Sequence, residues 1–448
     1  MSFFTYSPCE TGREGGDAHI LFHATESKWV KVNDTGLEIA RRLEQGASVQ
    51  DVVFHLWKRY RIADDIARRQ VEQVRAQLAA HGFLKPGVVS KPSRSPRLNS
   101  IFLHLTNRCN LACVHCYTGN SLECPTKDLP APLLFRMLAE LTDHGGTSVT
   151  LSGGEPLLHP NIKEILRRAG TRLDINMLTN GTLIDREWAE FLSDIGVYVQ
   201  ISVDGSCEQI HDRIRGKGSF KKTIDGLNYL QRSGLGDRLN FSTTVMNQNL
   251  DDLIKIITLA RRLGVPLVRF LPLRRKGTAQ STWQTVGSGL STKEYARFYD
   301  DTHRLHATVG TEIEISCGLS GFLLKMPKDS GKDDIWCPVG CRVVVDFNGD
   351  AYPCVLMMED EFRLGNVFHN SLEEIIQSDA MAGVCRVLVE RRRKIEKCAG
   401  CTWRNLCQAG CMGQALDNKG TIWDTDDFCD YRKRAYKEAF DRILTIDD

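Results

Sequence analysis

The sequence has no surplus of charge: 58 Lys plus Arg stand against 56 Asp plus Glu, a formal +2 over 448 residues. No global field therefore draws the chain to nucleic acid or to anionic lipid. It has no apolar run of about 18 residues, the length needed to suggest a membrane-spanning helix. The opening segment MSFFTYSPCETGREGG lacks a basic stretch followed by an apolar one. No secretory signal is expected, and a cytoplasmic location is. Internal repeats are missing, and low-complexity sequence is confined to one short linker. These absences exclude collagen-like, disordered, membrane and DNA-coating classes. What remains is ordinary globular composition, 42% hydrophobic and 25% charged, enough for about three domains at roughly 150 residues each. The one excess is cysteine, 16 in all. In a reducing compartment such a set reads as metal ligands or catalytic thiols rather than disulfides.

Residues 19–84 read as a small module. HILFHA and SKWVKV suggest two short strands, with a break at Asn33-Asp34. Thr35 with Glu38 reads as a capping box opening a helix that turns Leu37, Ala40 and Leu43 inward. Ser48 with Asp51 opens a second helix, and a third carries Val71, Val74 and Leu78 before stopping at Gly82. The segment KPGVVSKPSRSPR at 85–97 is a linker. From Ser100 onward, strands and helices alternate. Strands are expected at 101–105, 148–153, 174–180, 197–204, 239–245 and 266–273, with amphipathic helices between them. That pattern is α/β, a parallel sheet or barrel of six βα units, fewer than the eight that close a full barrel. Beyond about residue 310 the periodicity dissolves into glycines and cysteines.

Directly after the first strand stands Cys109-Asn-Leu-Ala-Cys113-Val-His-Cys116. Three thiolates on one loop can hold three irons of a cubane and leave the fourth open; soft thiolates suit iron–sulfur clusters or zinc. Taken alone, zinc competes, with Cys124 as a fourth ligand. The location argues for chemistry, since such sheets place it at the C-terminal strand ends.

The C-x3-C-x2-C spacing resembles the signature of the radical S-adenosylmethionine (SAM) superfamily. Gly153-Gly154-Glu155, ending the second strand, resembles the GGE motif that holds the SAM amino group. Glycines there let the backbone approach a ligand, and a carboxylate suits an ammonium. Thr179-Asn180-Gly181 ends the third strand. Ser202 and Asp204 end the fourth, where the family places groups that touch the SAM ribose and carboxylate. Arg215 matches the arginine that pairs with that carboxylate, and His115 occupies the position that packs against adenine. The resemblance thus implies a SAM-binding [4Fe-4S] cluster on Cys109, Cys113 and Cys116.

Near the end of the chain, Cys398, Cys401, Cys407 and Cys411 form C-x2-C-x5-C-x3-C, with Cys429 beyond; upstream, Cys337 and Cys354 frame C-x11-G-x4-C. These seven resemble the SPASM extension, which carries two auxiliary iron–sulfur clusters. A zinc ribbon is the bland alternative, but seven cysteines exceed one zinc site. By resemblance, Cys337, Cys354 and Cys411 hold the first auxiliary cluster, with Cys317 as the expected fourth ligand and Cys341 as its rival. Cys398, Cys401, Cys407 and Cys429 hold the second. Cys9, Cys124, Cys207, Cys341 and Cys385 are left as packed thiols by default.

The front module, ending in Gly82-Phe83-Leu84, resembles the PqqD-like precursor-recognition domain, which adds a leader peptide as an extra strand at its sheet edge. A winged-helix DNA binder is the competing reading, but acidic residues interrupt its basic ones. The domains expected are 1–90 for peptide recognition, 91–99 as linker, 100–310 as a partial (βα)6 TIM-like barrel and 311–448 as the cysteine-rich SPASM domain. The front domain is winged-helix-like α+β. The whole resembles a radical SAM/SPASM oxidoreductase that matures ribosomally made peptides. Such an enzyme reductively cleaves SAM, takes a hydrogen from a precursor peptide and installs a cross-link or related modification. Its expected partners are that precursor, its leader bound by residues 1–90, and an electron donor such as flavodoxin or ferredoxin; nucleic acid and membrane are not expected. The alternatives are maturation of a small cofactor or haem, and maturation of a sulfatase-type enzyme. Val355 counts against the latter, because that group carries an aspartate after the cysteine matching Cys354. The catalytic base is not identified by the sequence.

Overall fold

The computed structural model describes residues 3–6, 18–24, 28–60, 62–84, 96–119, 125–286, 313–317 and 337–445, with 293, 294, 297, 298, 300 and 301; the side chain of Cys317 is outside this set. Cys9, Cys124 and residues 85–95 of the expected linker also lie outside the described residues.

The front module has three strands, not two. β1 (Phe3–Tyr6), β2 (Ala18–His23) and β3 (Trp29–Asn33) form an antiparallel sheet in the order β1-β2-β3. The four residues FFTY were too short a signal to read as a strand alone; pairing with β2 makes them one. Three helices follow: α1 (Asp34–Glu44), α2 (Val49–Tyr60) and α3 (Asp64–Ala80). The expected cap at Thr35 is corrected. Asn33 caps α1, its side-chain oxygen accepting from the Gly36 N–H at 2.8 Å. Glu38 is drawn instead to α2, where it accepts from the Tyr60 hydroxyl at 2.7 Å and meets His55 at 2.5 Å. The Ser48–Asp51 box stands, with both reciprocal bonds present. Leu21, Val30 and Val32 of the sheet pack on Leu37, Ala40 and Leu78 of the helices.

The main sheet has ten strands in the order β10-β9-β8-β7-β6-β5-β4-β11-β12-β13. Its centre is the expected set: β4 (Ser100–His104), β5 (Ser148–Ser152), β6 (Asp174–Thr179), β7 (Tyr198–Ser202), β8 (Leu239–Val245) and β9 (Leu267–Pro272), all parallel. The interleaved helices are α4 (Ala131–Asp143), α5 (Ile162–Gly170), α6 (Arg186–Ile195), α7 (Glu208–Arg215), α8 (Ser219–Arg232) and α9 (Leu253–Arg262). The strands alternate rather than run apolar throughout. Ile101, Leu103, Val149, Leu151, Ile175, Met177, Val199 and Ile201 join the helices in one core. The other face carries His104, Thr150, Asn176, Gln200 and Asn240, as period-2 geometry requires.

The sheet does not stop at six. β10 (Glu314–Cys317) joins β9 in parallel, and β11 (Arg342–Val345) joins β4 in parallel; β12 (Asp350–Tyr352) and β13 (Gly365–Asn366) continue antiparallel. Strands from both sides of the expected boundary at 310 therefore share one hydrogen-bonded sheet. The alternating segment EIEIS ahead of Cys317 reads as strand-like, and β10 falls on it; β11, β12 and β13 give no such signal because each is four residues or fewer.

Asn33→Ala should destabilise the front module by about 1 kcal/mol, the usual cost of a lost N-cap. Thr35→Ala should change it by a few tenths at most. Urea unfolding followed by hydrogen exchange in α1 separates the two.

Candidate cofactor sites at the strand ends

Cys109, Cys113 and Cys116 lie on the loop after β4, and segments following β5, β6 and β9, with helix α7, fix that loop. The Gly154 N–H donates to Thr106 O at 2.8 Å and the Glu155 N–H to Arg108 O at 2.7 Å. A Cβ on Gly153 would stand 2.5 Å from Thr106 O, and one on Gly154 2.0 Å from Arg108 O. The two glycines thus let the cysteine loop approach β5, a requirement additional to any ligand contact. From the end of β6, Asn180 donates to Asn110 at 2.9 Å, and Asn110 donates to Thr182 at 2.8 Å. The Val114 N–H donates to Ile214 O of α7 at 3.0 Å. Gly277, at φ +56, lets its backbone meet the carbonyls of Cys116 and Tyr117, where any Cβ would stand 2.5 Å away.

Glu155 is fully buried. Its carboxylate accepts from Thr179 at 2.7 Å and from the Asn180 N–H at 2.9 Å. Burial nonetheless pushes its pKa up to about 7, so it is a carboxyl short of positive charge. Asp204, beyond β7, accepts from Arg215 Nε at 2.6 Å and from the Thr244 N–H at 2.7 Å, and stands 3.3 Å from His115 Nε2. Burial acts to raise Asp204, but Arg215 and His115 outweigh it and hold it below the usual range. Arg215 also reaches Cys113 Sγ at 3.9 Å. The arginine expected to meet a ligand carboxylate is thus paired with Asp204. His115 is buried, and its Nδ1 has no hydrogen-bond partner among the described residues. Ser202 sits half-buried at the end of β7.

Burial pushes the Cys109 thiol up to about 11 and Cys113 up to about 12, with the other thiols of the loop adding to the rise. Deprotonating such a set requires a cation among the sulfurs, and iron supplies one. The residues therefore fit a cluster. Among the described residues no three Cys, His, Asp or Glu side chains gather tightly enough for one metal ion.

The C-terminal cysteines separate into two groups by mutual electrostatic influence. Cys411, pushed up to about 12 by burial, feels Cys354 and Cys337. Cys398, pushed up to about 12 by burial, feels Cys407, Cys429 and Cys401. Cys317 ends β10, with its side chain outside the described residues. Cys341 accepts through its carbonyl from Asn99 and Ser100 at the start of β4. Gln408, Ala409 and Gly410, between Cys407 and Cys411, all have positive φ (52°, 66° and 71°). Two non-glycine residues in that region persist only where their surroundings hold them.

Three buried charged residues escaped the sequence. Arg391, fully buried, donates to Ile422 O at 2.6 Å, Gly410 O at 3.0 Å and Asp424 O at 2.6 Å. Arg432 pairs with Asp426 at 2.9 Å and lies 3.3 Å from Cys407 Sγ. Asp426 in turn accepts from the Cys411 N–H at 2.7 Å. Between the first loop and Cys354 lies a further polar chain. His104 meets the Tyr117 hydroxyl at 3.1 Å; Arg274 stands over the Tyr117 ring, pairs with Asp417 at 2.9 Å and donates to Val355 O at 2.6 Å.

Asp204→Ala should cost about 3–5 kcal/mol, because it leaves Arg215 buried without its carboxylate. Arg186→Ala, which breaks an exposed pair with Glu190, should cost no more than about 0.5 kcal/mol. Urea midpoints of the two variants test the difference.

Three segments of the chain match known protein families. Residues 103–260 match the family described as the Radical SAM superfamily, residues 337–402 the SPASM iron-sulfur cluster-binding domain, and residues 18–84 coenzyme PQQ synthesis protein D (PqqD). Mycofactocin maturase MftC of Mycolicibacterium smegmatis is 30% identical, over 69% of this chain and 76% of that protein. An AdoMet-dependent heme synthase of Methanosarcina barkeri is 28% identical, over 76% of this chain and 98% of that protein. The crystal structure of Streptococcus suis SuiB bound to precursor peptide SuiA shares the fold, with TM-score 0.60 and 15% identity over 91% of this chain and 95% of that one.

Proposed function

The chain belongs to the radical SAM enzymes that carry a SPASM domain, and from that premise we propose that it modifies a ribosomally made precursor peptide. Its cofactors are a SAM-binding [4Fe-4S] cluster, S-adenosyl-L-methionine and auxiliary iron–sulfur clusters. When bound and reduced by an external donor, the cluster on Cys109, Cys113 and Cys116 would supply one-electron reductive cleavage of SAM, and the auxiliary clusters would supply electron acceptance or thiolate binding.

The chain's own residues then have distinct tasks. Cys109, Cys113 and Cys116 would hold the SAM-binding cluster on a loop fixed before any cofactor arrives. Glu155, buried and short of positive charge, would favour the SAM ammonium beside Gly153 and Gly154. Asp204 keeps Arg215 turned toward Cys113 and stands against His115, and Ser202, at the end of β7, would contribute a hydroxyl to the SAM site. Cys337, Cys354 and Cys411, with Cys317, would take the first auxiliary cluster. Cys398, Cys401, Cys407 and Cys429 would take the second. The barrel, taken as residues 100–310, would exclude water around them; residues 1–90 would bind the leader and 311–448 the auxiliary clusters.

The observation that carries the peptide reading is the front module. It is a three-stranded sheet with three helices, and among the described residues β3 pairs only with β2. An edge strand of that kind can accept an extended peptide through main-chain hydrogen bonds. The fold shared with the SuiB chain supports the same reading, as does the similarity to a maturase. A cofactor or haem substrate is the second reading, favoured by the heme synthase similarity. An electron donor of the flavodoxin or ferredoxin kind would serve either.

Anaerobically reconstituted protein should carry about twelve irons per chain, from three four-iron clusters, and about eight when Cys109, Cys113 and Cys116 are all changed to Ala. That triple variant should release no 5′-deoxyadenosine. Iron unchanged in the variant would remove the three cysteines from the site. For the substrate, the full chain is incubated with SAM, a reductant and the small peptide encoded beside its gene. Loss of a hydrogen pair from the peptide supports the proposal; turnover of an iron porphyrin precursor with the peptide untouched overturns it.

A further inference from the structure

The front sheet has a second face, and that face is not solvent. Ile20 and Phe22 of β2 point away from the module's own helices and pack against Trp403, Leu406, Tyr436 and Phe440. Phe22 stands edge-on to Phe440 at 4.9 Å and to Trp403 at 5.5 Å; Tyr6 stands 5.0 Å from Trp403 and Trp29 5.3 Å from Phe440. Trp403 stacks on Phe440 at 5.3 Å and on Tyr436 at 5.7 Å. Polar bonds fix the register: the Tyr6 hydroxyl donates to Asp441 at 2.6 Å, and Asn405 donates to the His23 carbonyl at 2.9 Å.

On its far side the same stack meets the cysteines. Cys401 and Cys407 pack against this aromatic cluster. Cys398, Cys401, Cys407 and Cys429 line one cavity, with Trp403 and Tyr436 among its walls. The tethers are short. Trp403 lies between Cys401 and Cys407, and Tyr436 and Phe440 share the helix Cys429–Thr445 with Cys429 at its first position. Residues spaced by three or four on a helix share a face, so Cys429, Arg432, Tyr436 and Phe440 form one stripe. The front sheet clamps the far end of that stripe.

We propose that the front sheet is the outer wall of the Cys398/Cys401/Cys407/Cys429 site, and that Phe22 and Tyr6 are positioning residues for those thiols, acting through Trp403 and the helix Cys429–Thr445. The inference rests on the reading of those four cysteines as the second auxiliary site. It makes the recognition module a structural part of a redox site rather than a detachable reader, so a peptide strand added to the sheet would load the same aromatic stack.

The test uses the full chain, reconstituted with iron and sulfide. Phe22→Ala should lose about four irons per chain, one cluster's worth, or release them several-fold faster to a chelator. The EPR signal lost or shifted should be the one that disappears in Cys398→Ala/Cys401→Ala, while the signal tied to Cys109, Cys113 and Cys116 stays. Phe22→Tyr, which keeps the ring, should restore the iron. Asn405→Ala is the milder probe should Phe22→Ala fail to fold, and it too should speed iron release from that site alone. Unchanged iron, release rate and EPR spectrum in Asn405→Ala, together with the same result in Phe22→Ala wherever that variant folds, overturn the inference. Unchanged iron in the double cysteine variant overturns instead the assignment of the site itself.

Discussion

A thiol buried among other thiols resists ionisation, and the three cysteine groups among the described residues are built around that difficulty. Each is given a guanidinium whose position is fixed by other bonds. Arg215, held by Asp204, reaches Cys113. Arg432, held by the same Asp426 that takes the Cys411 N–H, lies against Cys407. Arg391 spends its donors on three backbone carbonyls and places its charge near Cys411 and Cys398. A buried cation of this kind is stable only where its partners are complete. The segments that carry the cysteines are therefore locked to the segments that carry the carboxylates and carbonyls holding these guanidinium groups.

That locking sets the rest of the arrangement. The first cysteine loop is bonded to the ends of β5 and β6 and to α7, so its geometry is that of the sheet. The auxiliary segments are tied to the same sheet at both edges, β10 on β9 and β11 on β4. Arg274 then bridges the two regions, contacting Tyr117 next to Cys116 and the carbonyl of Val355 next to Cys354. The front module is part of the same body, because its sheet is covered on one face by its own helices and on the other by the C-terminal aromatic stack.

What the sequence by itself determined is what depends on short spans of chain. The six central strands and their helices were legible because period-2 and period-3.6 patterns repeat within each element. The cysteine spacings, Gly153-Gly154-Glu155 and Asp204 were legible because each motif is contiguous. What only the tertiary structure decided is what depends on pairing between distant segments. β1 and β11 are too short to signal themselves and exist because β2 and β4 offer edges. Asn33 rather than Thr35 caps α1 because Glu38 has stronger partners across the helix pair. Nothing local distinguishes Arg391 from exposed Arg393 two residues later; packing alone buries one and leaves the other in water. The same holds for Phe22 and Phe440, more than 400 residues apart in sequence and 4.9 Å apart in space. Their contact is an apolar burial between two elements that each read, alone, as complete.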